Sequence, residues 1–354
     1  MRPHNPAFLP FKFDYSKITK TLASAQYSLG RLDGKQGNLH LNADLLIAPL
    51  SAKEATVSSK IEGTQSTVKD VFLHEAGEKT KYSDVLEVAN YRKAIYYSVE
   101  KLKQKPLTIN IIKDIHSILL EGSRGHSRKG EFRIDQVWLG TEGDPIEKAT
   151  YIPPIPQKVP EYMFNLEKYV NNDDEDTLIQ TALIHYQFEA VHPFNDGNGR
   201  IGRLLLPLFL YNRRKLNKPI LYLSGYFEAN KDEYLDALHQ VDTKGNYEYW
   251  INYFLTAVQI QAEQTEKLID NITSLYIDLK KRTDDIKSPY IGKLVEFLFK
   301  RPIFSAPQAT KELKAYRGTT IRLINELLKR KIILSIKIKD KKPIYGFPEL
   351  INRL

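Results

Sequence analysis

The spacing of apolar residues along the chain predicts a mostly helical protein. Between residues 42 and 61 apolar side chains recur near helical spacing, and Gly63 is placed to end that helix. The first 40 residues contain Gly30, Gly34 and Gly37, a pattern that predicts a short helix in an arm closed by a loop. Helical periodicity returns over 67–75, 85–102, 110–120, 161–170, 178–190 and 200–212, and in stretches reaching residue 279.

The pattern changes between residues 132 and 156. Val137, Trp138 and Leu139 on one side, and 151–152 on the other, flank the polar stretch 140–148, which contains Gly and Pro. This arrangement is typical of a β-hairpin. The simplest summary of the fold class is therefore a helix-rich domain with one small hairpin.

A polar run over 281–289 predicts a domain boundary. Beyond it the pattern indicates helices over 290–300, 307–315 and 319–331, then strands over 332–338 and 343–347 joined by the basic residues 339–342. Three helices and a basic hairpin resemble a winged helix-turn-helix, a common DNA-binding module. We expect an N-terminal helical region over 1–100, a core domain over 101–280 and this module over 288–354.

Composition narrows the chemistry. The 354 residues are 42% hydrophobic and 27% charged, as in ordinary folded proteins. The absence of cysteine excludes disulfides, thiolate zinc sites and cysteine nucleophiles, so any metal would be held by oxygen or imidazole, which favours Mg²⁺. Since no run of about 18 apolar residues occurs and the first residues do not resemble a secretory signal, we expect a cytoplasmic protein without membrane contact.

The net charge of +9 is unevenly distributed. Residues 281–354 contain 18 Lys and Arg against 7 Asp and Glu, whereas residues 1–280 contain 34 against 36. The basic excess therefore belongs to the C-terminal segment. Because phosphate contacts dominate nucleic-acid affinity, this supports DNA binding through 288–354, although winged helices also bind proteins and surface lysines are often only solubilising.

A Gly-rich loop between two predicted helices carries the features of an anion site. Gly197 and Gly199 let the backbone approach a ligand, and the amides at a helix start carry unsatisfied N–H groups and the positive end of the helix dipole. Arg200 opens the second helix, and Arg203 lies about one turn later, so both can reach neighbouring phosphates. The loop is therefore a predicted phosphate cradle.

Two further side chains in this loop fit phosphate chemistry. The carboxylate of Asp196 suits a Mg²⁺ that also holds phosphate oxygens, and a neutral His192 imidazole suits proton abstraction from an attacking hydroxyl. We assign Phe194 to anchoring the loop in the core. Each feature alone has a common structural explanation, but their combination within twelve residues predicts phosphoryl or nucleotidyl transfer.

The residues at positions 192–203 read His-Pro-Phe-Asn-Asp-Gly-Asn-Gly-Arg-Ile-Gly-Arg. They match the full motif of the Fic family, His-x-Phe-x-Asp/Glu-Gly-Asn-Gly/Lys-Arg-x-x-Arg. The resemblance implies a helical Fic core that transfers AMP from ATP to a Ser, Thr or Tyr hydroxyl of a target protein or of the chain itself. By matching position it implies that His192 is the base and that Asp196 is the Mg²⁺ ligand.

The resemblance also assigns the phosphates. It places the α- and β-phosphates against Gly197, Asn198, Gly199 and Arg200, and the γ-phosphate against Arg203. Relatives that phosphorylate carry Lys at the position of Gly199, so the motif favours nucleotidyl transfer.

Two other stretches resemble Fic elements. The hairpin at about 135–156 resembles the flap, whose strand edge at Val137, Trp138 and Leu139 would align a target segment; a plain surface hairpin is the alternative. Residues 58–63, Ser-Ser-Lys-Ile-Glu-Gly, resemble the inhibitory motif Ser/Thr-x-x-x-Glu-Gly/Asn, on a helix at about 45–63.

In the family this motif places its glutamate, here Glu62 with Ser58 on the same helix face, against the second arginine, here Arg203. The structural alternative is a capping box formed by Ser59 and Glu62, with Gly63 acting as a helix stop.

Other functions remain open at this stage. Glu62 could orient a water that removes AMP from a modified protein, which would make the chain a de-AMPylase. The chain could also be a DNA-binding regulator whose Fic domain senses a nucleotide. A second copy of the chain, forming a homodimer, is a further candidate partner.

Overall fold

The computed structural model describes residues 2–37, 44–78, 84–122, 128–140, 143, 145–336 and 343–354. The described chain is mostly helical, and its one sheet is small, as the apolar periodicity predicts. The helices are α1 (Thr19–Gly37), α2 (Asp44–Ile61), α3 (Val68–Glu75), α4 (Val85–Leu102), α5 (Ile109–Leu119), α6 (Val159–Val170), α7 (Thr177–Val191), α8 (Asn198–Asn212), α9 (Ser224–Ala229), α10 (Lys231–Lys244), α11 (Tyr247–Thr283), α12 (Ile291–Lys300), α13 (Ala306–Leu313), α14 (Arg317–Lys329) and α15 (Pro348–Ile351). Short 3₁₀ turns lie at Tyr15–Lys17, Ile146–Lys148 and Pro156–Lys158.

The strands are β1 (Ile303–Ser305), β2 (Leu334–Ile336) and β3 (Ile344–Gly346). They form one antiparallel sheet with β3 in the centre, where Tyr345 lies opposite Phe304 of β1 and Ser335 of β2. The predicted basic turn at 339–342 lies outside the described residues.

The chain divides into two compact units, and both are discontinuous in sequence. The first combines residues 1–34 with 93–263, and the second combines 35–92 with 264–354. The domain boundaries drawn from sequence remain predictions. They divide the chain into continuous segments, since a linear reading cannot pair segments that are far apart in sequence.

The first unit is built around α7. Every side chain of this helix is buried except its first residue and Glu189, because its sequence is apolar on all sides. Asp176 caps its start by accepting from the backbone N–H groups of the second and third residues of the helix. α7 packs against α6 and α8, and the indole of Trp250 in α11 donates to the Ala182 carbonyl (2.9 Å).

The second unit joins α2 and α3 to the C-terminal segment. α2 packs against α12, and α3 packs against β1. Ala52, Phe72, Ile303 and Ile344 belong to one buried cluster, so the segment 288–354 shares its core with α2 and α3. Experiments on this segment therefore need the full chain.

One prediction about the N-terminus is wrong. α1 continues through Gly30 and Gly34 to residue 37, where the glycines predicted a short helix and a loop. A Cβ on either glycine would meet nothing within 4 Å, so the backbone stays helical there without any demand for glycine. The sequence pattern overstated the power of isolated glycines to end a helix.

Candidate active site

The end of α7 places His192. The helix ends at Val191, and His192 adopts the left-handed conformation (φ 48°, ψ 62°) while its N–H still bonds the Phe188 carbonyl (3.0 Å). For a residue with a Cβ this conformation costs roughly 1–2 kcal/mol, so neighbouring contacts must hold it. The chain thus turns abruptly out of the helix at the predicted base.

Arg133 supplies those contacts. Its Nε donates to the His192 carbonyl (2.8 Å), its backbone N–H donates to the Pro193 carbonyl (2.9 Å), and its Nη2 reaches the carbonyls of Val191 and Pro154. The side chain is 2% exposed, and burial lowers the pKa of its guanidinium to about 10, so it remains charged at neutral pH. One buried cation therefore fixes the backbone on both sides of the turn at His192.

Phe194 anchors the loop, as predicted. Its ring is fully buried and stacks on the imidazole of His116 in α5, with centroids 3.9 Å apart and planes 9° apart. Phe132 and Phe188 pack at 5.6 and 6.4 Å from the same ring. The loop is therefore attached to the core at its centre.

Asn198 has a role that the sequence did not indicate. Its side-chain amide donates to the Phe194 carbonyl (2.8 Å), and its amide oxygen accepts from the Phe194 N–H (2.8 Å). The side chain is 1% exposed. In this structure the Asn198 side chain therefore closes the loop on itself. The backbone N–H of Asn198 is the first of α8, and the first N–H groups of a helix have no acceptor within the helix.

Asp196 and Gly197 form the entrance to α8. Gly197 is the N-cap residue with φ 77°, and an added Cβ would lie 3.2 Å from Leu119, so both its conformation and its surroundings favour glycine. The carboxylate of Asp196 accepts from the Gly197 N–H (2.5 Å) and lies 3.3 Å from the Arg200 guanidinium. Its side chain is 45% exposed, which leaves carboxylate oxygen accessible to a ligand.

The two arginines of the motif lie at the start of α8, where Gly199 is the second residue. Arg200 is 4% and Arg203 3% exposed, so neither is a solvated surface cation. Arg203 lies close enough to His185 of α7 to affect its titration: burial lowers the pKa of His185 to about 3, and the charge of Arg203 adds to this. His185 is therefore neutral, and its Nε2 lies 2.8 Å from the Tyr234 hydroxyl.

Of the predicted hairpin at 135–156, the described residues form one antiparallel bridge, between Leu139 and Tyr151, and its role as a flap stays a prediction. Residues 141, 142 and 144 of its tip lie outside the described residues. Trp138 and Leu139 are exposed, Val137 is half-buried, and the Tyr151 hydroxyl donates to the Ala190 carbonyl near the end of α7 (2.8 Å). This bond ties the bridge to the helix that ends beside the predicted base.

Ser58 and Glu62 lie at the end of α2, in the second unit. Ser58 is fully buried, whereas Glu62 is exposed and follows the last helical residue, Ile61. The capping-box alternative is wrong, because a helix ends here and none begins at Ser59. Gly63 has φ 93°, which confirms that it stops the helix. The pairing of Glu62 with Arg203 remains a prediction.

Among the described residues no group of three or more His, Cys, Asp or Glu side chains is arranged to hold a metal ion. In proteins Mg²⁺ can take one or two carboxylates and keep its other positions for phosphate and water. Asp196 is the one carboxylate at the start of α8 that suits such a role. Throughout the residues that the structure describes, no helix is long and apolar enough to cross a membrane.

Sequence reasoning missed His116 and Arg133. They lie 80 and 59 residues away from the loop positions that they bond. A histidine on the apolar face of α5, among Ile112, Ile115 and Leu119, was the one local signal for His116. For Arg133 the local sequence contains no comparable signal.

Comparison with known proteins supports the family implied by the motif. The model of the Fic/DOC family matches residues 106–210, and the model of the Fic/DOC family N-terminal region matches residues 19–100. The chain therefore belongs to the Fic/DOC family. The first match contains the whole 192–203 loop, and the second contains Ser58 and Glu62.

Two relatives carry enzyme names. A probable protein adenylyltransferase of Aquifex aeolicus is 28% identical over 200 residues, which are 54% of this chain and 55% of that protein. The protein adenylyltransferase Fic of Drosophila melanogaster is 34% identical over 128 residues, or 35% of this chain and 24% of that protein. The chain thus spans about half of one relative and a quarter of the other.

Solved structures confirm the fold. A Fic family protein from Desulfovibrio desulfuricans superposes with a TM-score of 0.61 over 97% of this chain and 98% of that chain, at 18% identity. Fic-1 from C. elegans, residues 134–508, gives 0.53 over 72% and 74%, at 19% identity.

Proposed function

We propose that this chain is a protein adenylyltransferase that transfers AMP from ATP to a Ser, Thr or Tyr hydroxyl of a target protein or of itself. The observation that carries the proposal is the arrangement at the α7–α8 turn. His192, the start of α8 and two largely buried arginines all lie within twelve residues of chain. The enzyme names of the Aquifex and Drosophila relatives support the same activity.

In the proposed reaction the target hydroxyl oxygen attacks the α-phosphorus of ATP. Its proton passes to the His192 imidazole, a P–O bond to the α-phosphorus forms, and the bond between the α-phosphorus and the bridging oxygen breaks, which releases pyrophosphate. The backbone N–H groups at 197–199 and the guanidinium of Arg200 stabilise the charge on the α- and β-phosphates, and Arg203 binds the γ-phosphate. Asp196 would hold Mg²⁺, which neutralises phosphate charge when bound.

The edge at Val137, Trp138 and Leu139, of which the last two are exposed, would hold the target segment. Support comes from the bond between the Tyr151 hydroxyl and the Ala190 carbonyl, two residues before His192, which joins this bridge to the end of α7. An extended target segment that pairs with this edge would present its hydroxyl near the turn.

The test of the activity is intact-mass analysis after incubation with Mg²⁺ and, separately, ATP, GTP, UTP and CTP. We expect one AMP mass per modified chain with ATP, no adduct for His192→Ala, and retained ATP binding in that variant because the cradle is unchanged. Phosphate adducts, or undiminished transfer by His192→Ala, would overturn the assignment.

We propose further that Glu62 holds the enzyme in a low-activity state by pairing with Arg203 and blocking the γ-phosphate. The motif at 58–63 lies within the Fic/DOC N-terminal match and at the end of α2. Glu62→Gly and Glu62→Gln should both raise labelling from ATP, since both remove the carboxylate. Gln65→Gly, an exposed non-helical position three residues on, is the matched control and should leave labelling at the parent level. Equal labelling by all chains would reject the inhibitory role, and faster loss of pre-attached AMP from the parent would favour the reverse reaction.

A second proposed function is DNA binding through residues 288–354, as a winged helix-turn-helix. Two features of the described segment support it. α13 and α14 are joined by only three residues, 314–316, and α12, β1 and the β2–β3 pair surround them in the order expected of that module.

The second feature is the distribution of ion pairs. Arg282 bonds Asp278 and Glu349, Arg330 bonds Asp285 and Glu326, and Lys300 bonds Glu312. Each of these pairs joins a cation to an acidic side chain of the second unit. By contrast, the outward face of α14 presents Arg317, Arg322, Asn325 and Lys329, all exposed and without an ion pair to any described residue, beside Tyr316 at 89% exposure.

Such a face suits a polyanion, because unpaired cations bind phosphates, and Arg and Asn can bond base edges. We expect the full chain to bind a labelled duplex DNA pool in fluorescence anisotropy, with affinity that falls steeply with salt. Arg322→Ala with Lys329→Ala should weaken binding at least tenfold. Lys293→Ala with Arg301→Ala removes the same charge from exposed positions at α12 and should have a clearly smaller effect. Equal losses, or no binding, would overturn this function.

A further inference from the structure

His116 is bonded by two backbone groups that fix its protonation state. The Gly130 N–H donates to Nδ1 (2.8 Å), and Nε2 lies 3.1 Å from the Asp196 carbonyl oxygen. An N–H can only donate and a carbonyl can only accept, so Nδ1 carries no proton and Nε2 carries one. His116 is therefore a neutral imidazole with both nitrogens engaged, which excludes it as a proton acceptor in the reaction.

The Nε2–H bond orients a single peptide unit. The Asp196 carbonyl and the Gly197 N–H belong to the same planar peptide group. The carbonyl end of this group bonds His116, and its N–H end bonds the carboxylate of Asp196 (2.5 Å). Since the plane is rigid, the bond to His116 also determines where the carboxylate of Asp196 is held.

His116 is itself held firmly. Its side chain is 2% exposed and stacks on Phe194. Gly130 approaches α5 so closely that a Cβ would lie 3.0 Å from the Lys113 carbonyl, and its φ is 76°. The imidazole is thus a fixed support between α5, the segment at Gly130 and the loop.

We propose that His116 is a positioning residue for the nucleotide site: its Nε2–H fixes the Asp196–Gly197 peptide and, through it, the carboxylate and the first N–H groups of α8. The inference rests on the proposed nucleotide site at 192–203. Partners of this kind, which orient a ligating carboxylate without touching the ligand, typically contribute roughly 10–100-fold to affinity or activity.

Two substitutions separate the two bonds of His116. The amide nitrogen of glutamine can replace Nε2 and keep the bond to Asp196, whereas the amide oxygen of asparagine can replace Nδ1 and keep only the bond to Gly130. Both substitutions lose the imidazole stack on Phe194. They therefore control for one another with respect to packing.

The experiment places His116→Gln and His116→Asn in the Glu62→Gly chain and measures three quantities: the Kd for ATP with Mg²⁺ by calorimetry, the rate of AMP labelling, and the urea midpoint of unfolding. We expect His116→Gln to bind ATP within about threefold of the parent, and His116→Asn to bind at least tenfold more weakly. Equal Kd values for the two variants, or weaker binding by His116→Gln, would overturn the proposal even if both variants were destabilised.

A spectroscopic measurement avoids substitution altogether. Long-range ¹⁵N–¹H correlation of the unsubstituted chain should show His116 as the Nε2–H tautomer, and the opposite tautomer would overturn the proposal. The same measurements distinguish a failure of the proposed transferase function from a failure of the positioning role. If the parent chain binds ATP without labelling, and His116→Gln still binds ATP more tightly than His116→Asn, the transferase function is rejected and the positioning role is supported. A parent chain that binds no ATP would overturn both.

Discussion

Replacing Asn198 by aspartate tests whether its side chain holds the loop. The substitution Asn198→Asp keeps size and shape but exchanges the amide NH₂ for a carboxylate oxygen. One oxygen can still accept from the Phe194 N–H, whereas the other then faces the Phe194 carbonyl, 2.8 Å away in the parent, with no proton between them.

The magnitude follows from the structure. Loss of the donated bond costs about 1 kcal/mol, and an unpaired carbonyl beside a buried carboxylate adds about 1–3 kcal/mol. The new charge lies at the first turn of α8, where the helix dipole returns about 0.3–1 kcal/mol. We therefore expect the free energy of unfolding to fall by about 1–4 kcal/mol.

The assay is urea unfolding of Asn198→Asp beside Asn195→Asp. Asn195 is an exposed residue of the same loop, so its substitution adds the same charge and should change stability by less than about 0.5 kcal/mol. The loss in Asn198→Asp should also shrink at low pH, because protonation of the introduced carboxyl restores a donor. Equal midpoints for the two variants, or a loss independent of pH, would refute the reasoning.

Three other outcomes follow from buried groups of the first unit. Burial lowers the pKa of His185 to about 3, so between about pH 6.5 and 3 the unfolded chain binds a proton that the folded chain does not. Stability should therefore fall as pH is lowered through this window, by at most about 1.4 kcal/mol per pH unit, and unfolding curves of His185→Gln should show a shallower pH dependence; an identical dependence would contradict this. Arg133→Lys should slow AMP labelling about tenfold with unchanged ATP affinity, because one ammonium group cannot reach all the carbonyls that the guanidinium bonds. The control Arg128→Lys, at an exposed ion pair, should change the rate less than twofold. Similar rates for the two variants would argue against the role of Arg133 in holding the backbone at His192. Trp250→Phe should lower the free energy of unfolding by about 2–4 kcal/mol in thermal unfolding, since it loses a buried hydrogen bond to α7 and leaves a cavity. Trp138→Phe, at an exposed site, should lower it by less than about 0.5 kcal/mol. Equal shifts for the two variants would refute the packing argument.

Local signals predicted most of the helices. Thr108 caps α5 as expected, with its side chain accepting from Ile111, and α14 begins two residues before the predicted start. These successes reflect short-range causes, since apolar periodicity and capping chemistry act within a few residues. β1 was missed because a three-residue strand has no periodicity of its own and forms only where β3 is available to pair with it.

The loop shows the limit of local reasoning within a single motif. Its composition predicts a phosphate cradle, which stays a prediction, and the anchoring role of Phe194, which the buried, stacked ring confirms. The motif assigns Asn198 to the phosphates, which stays a prediction, and it did not indicate that the Asn198 side chain bonds both the N–H and the carbonyl of Phe194. A residue type and a spacing do not specify the direction of a side chain, which depends on the partners that the fold brings within reach.

The sequence by itself determined that this is a helical Fic/DOC protein with a Gly-rich loop between two helices, and it predicts that this loop binds anions. Helix periodicity, glycine freedom and helix-end charge are properties of neighbouring residues, so a local pattern contains them. Only the tertiary structure decided how the loop is held. Arg133 and His116 reach it from 59 and 80 residues away, and packing around α5 and α7 brings them there. Contacts at such separations depend on which apolar surfaces meet in the core, and no local pattern encodes that choice.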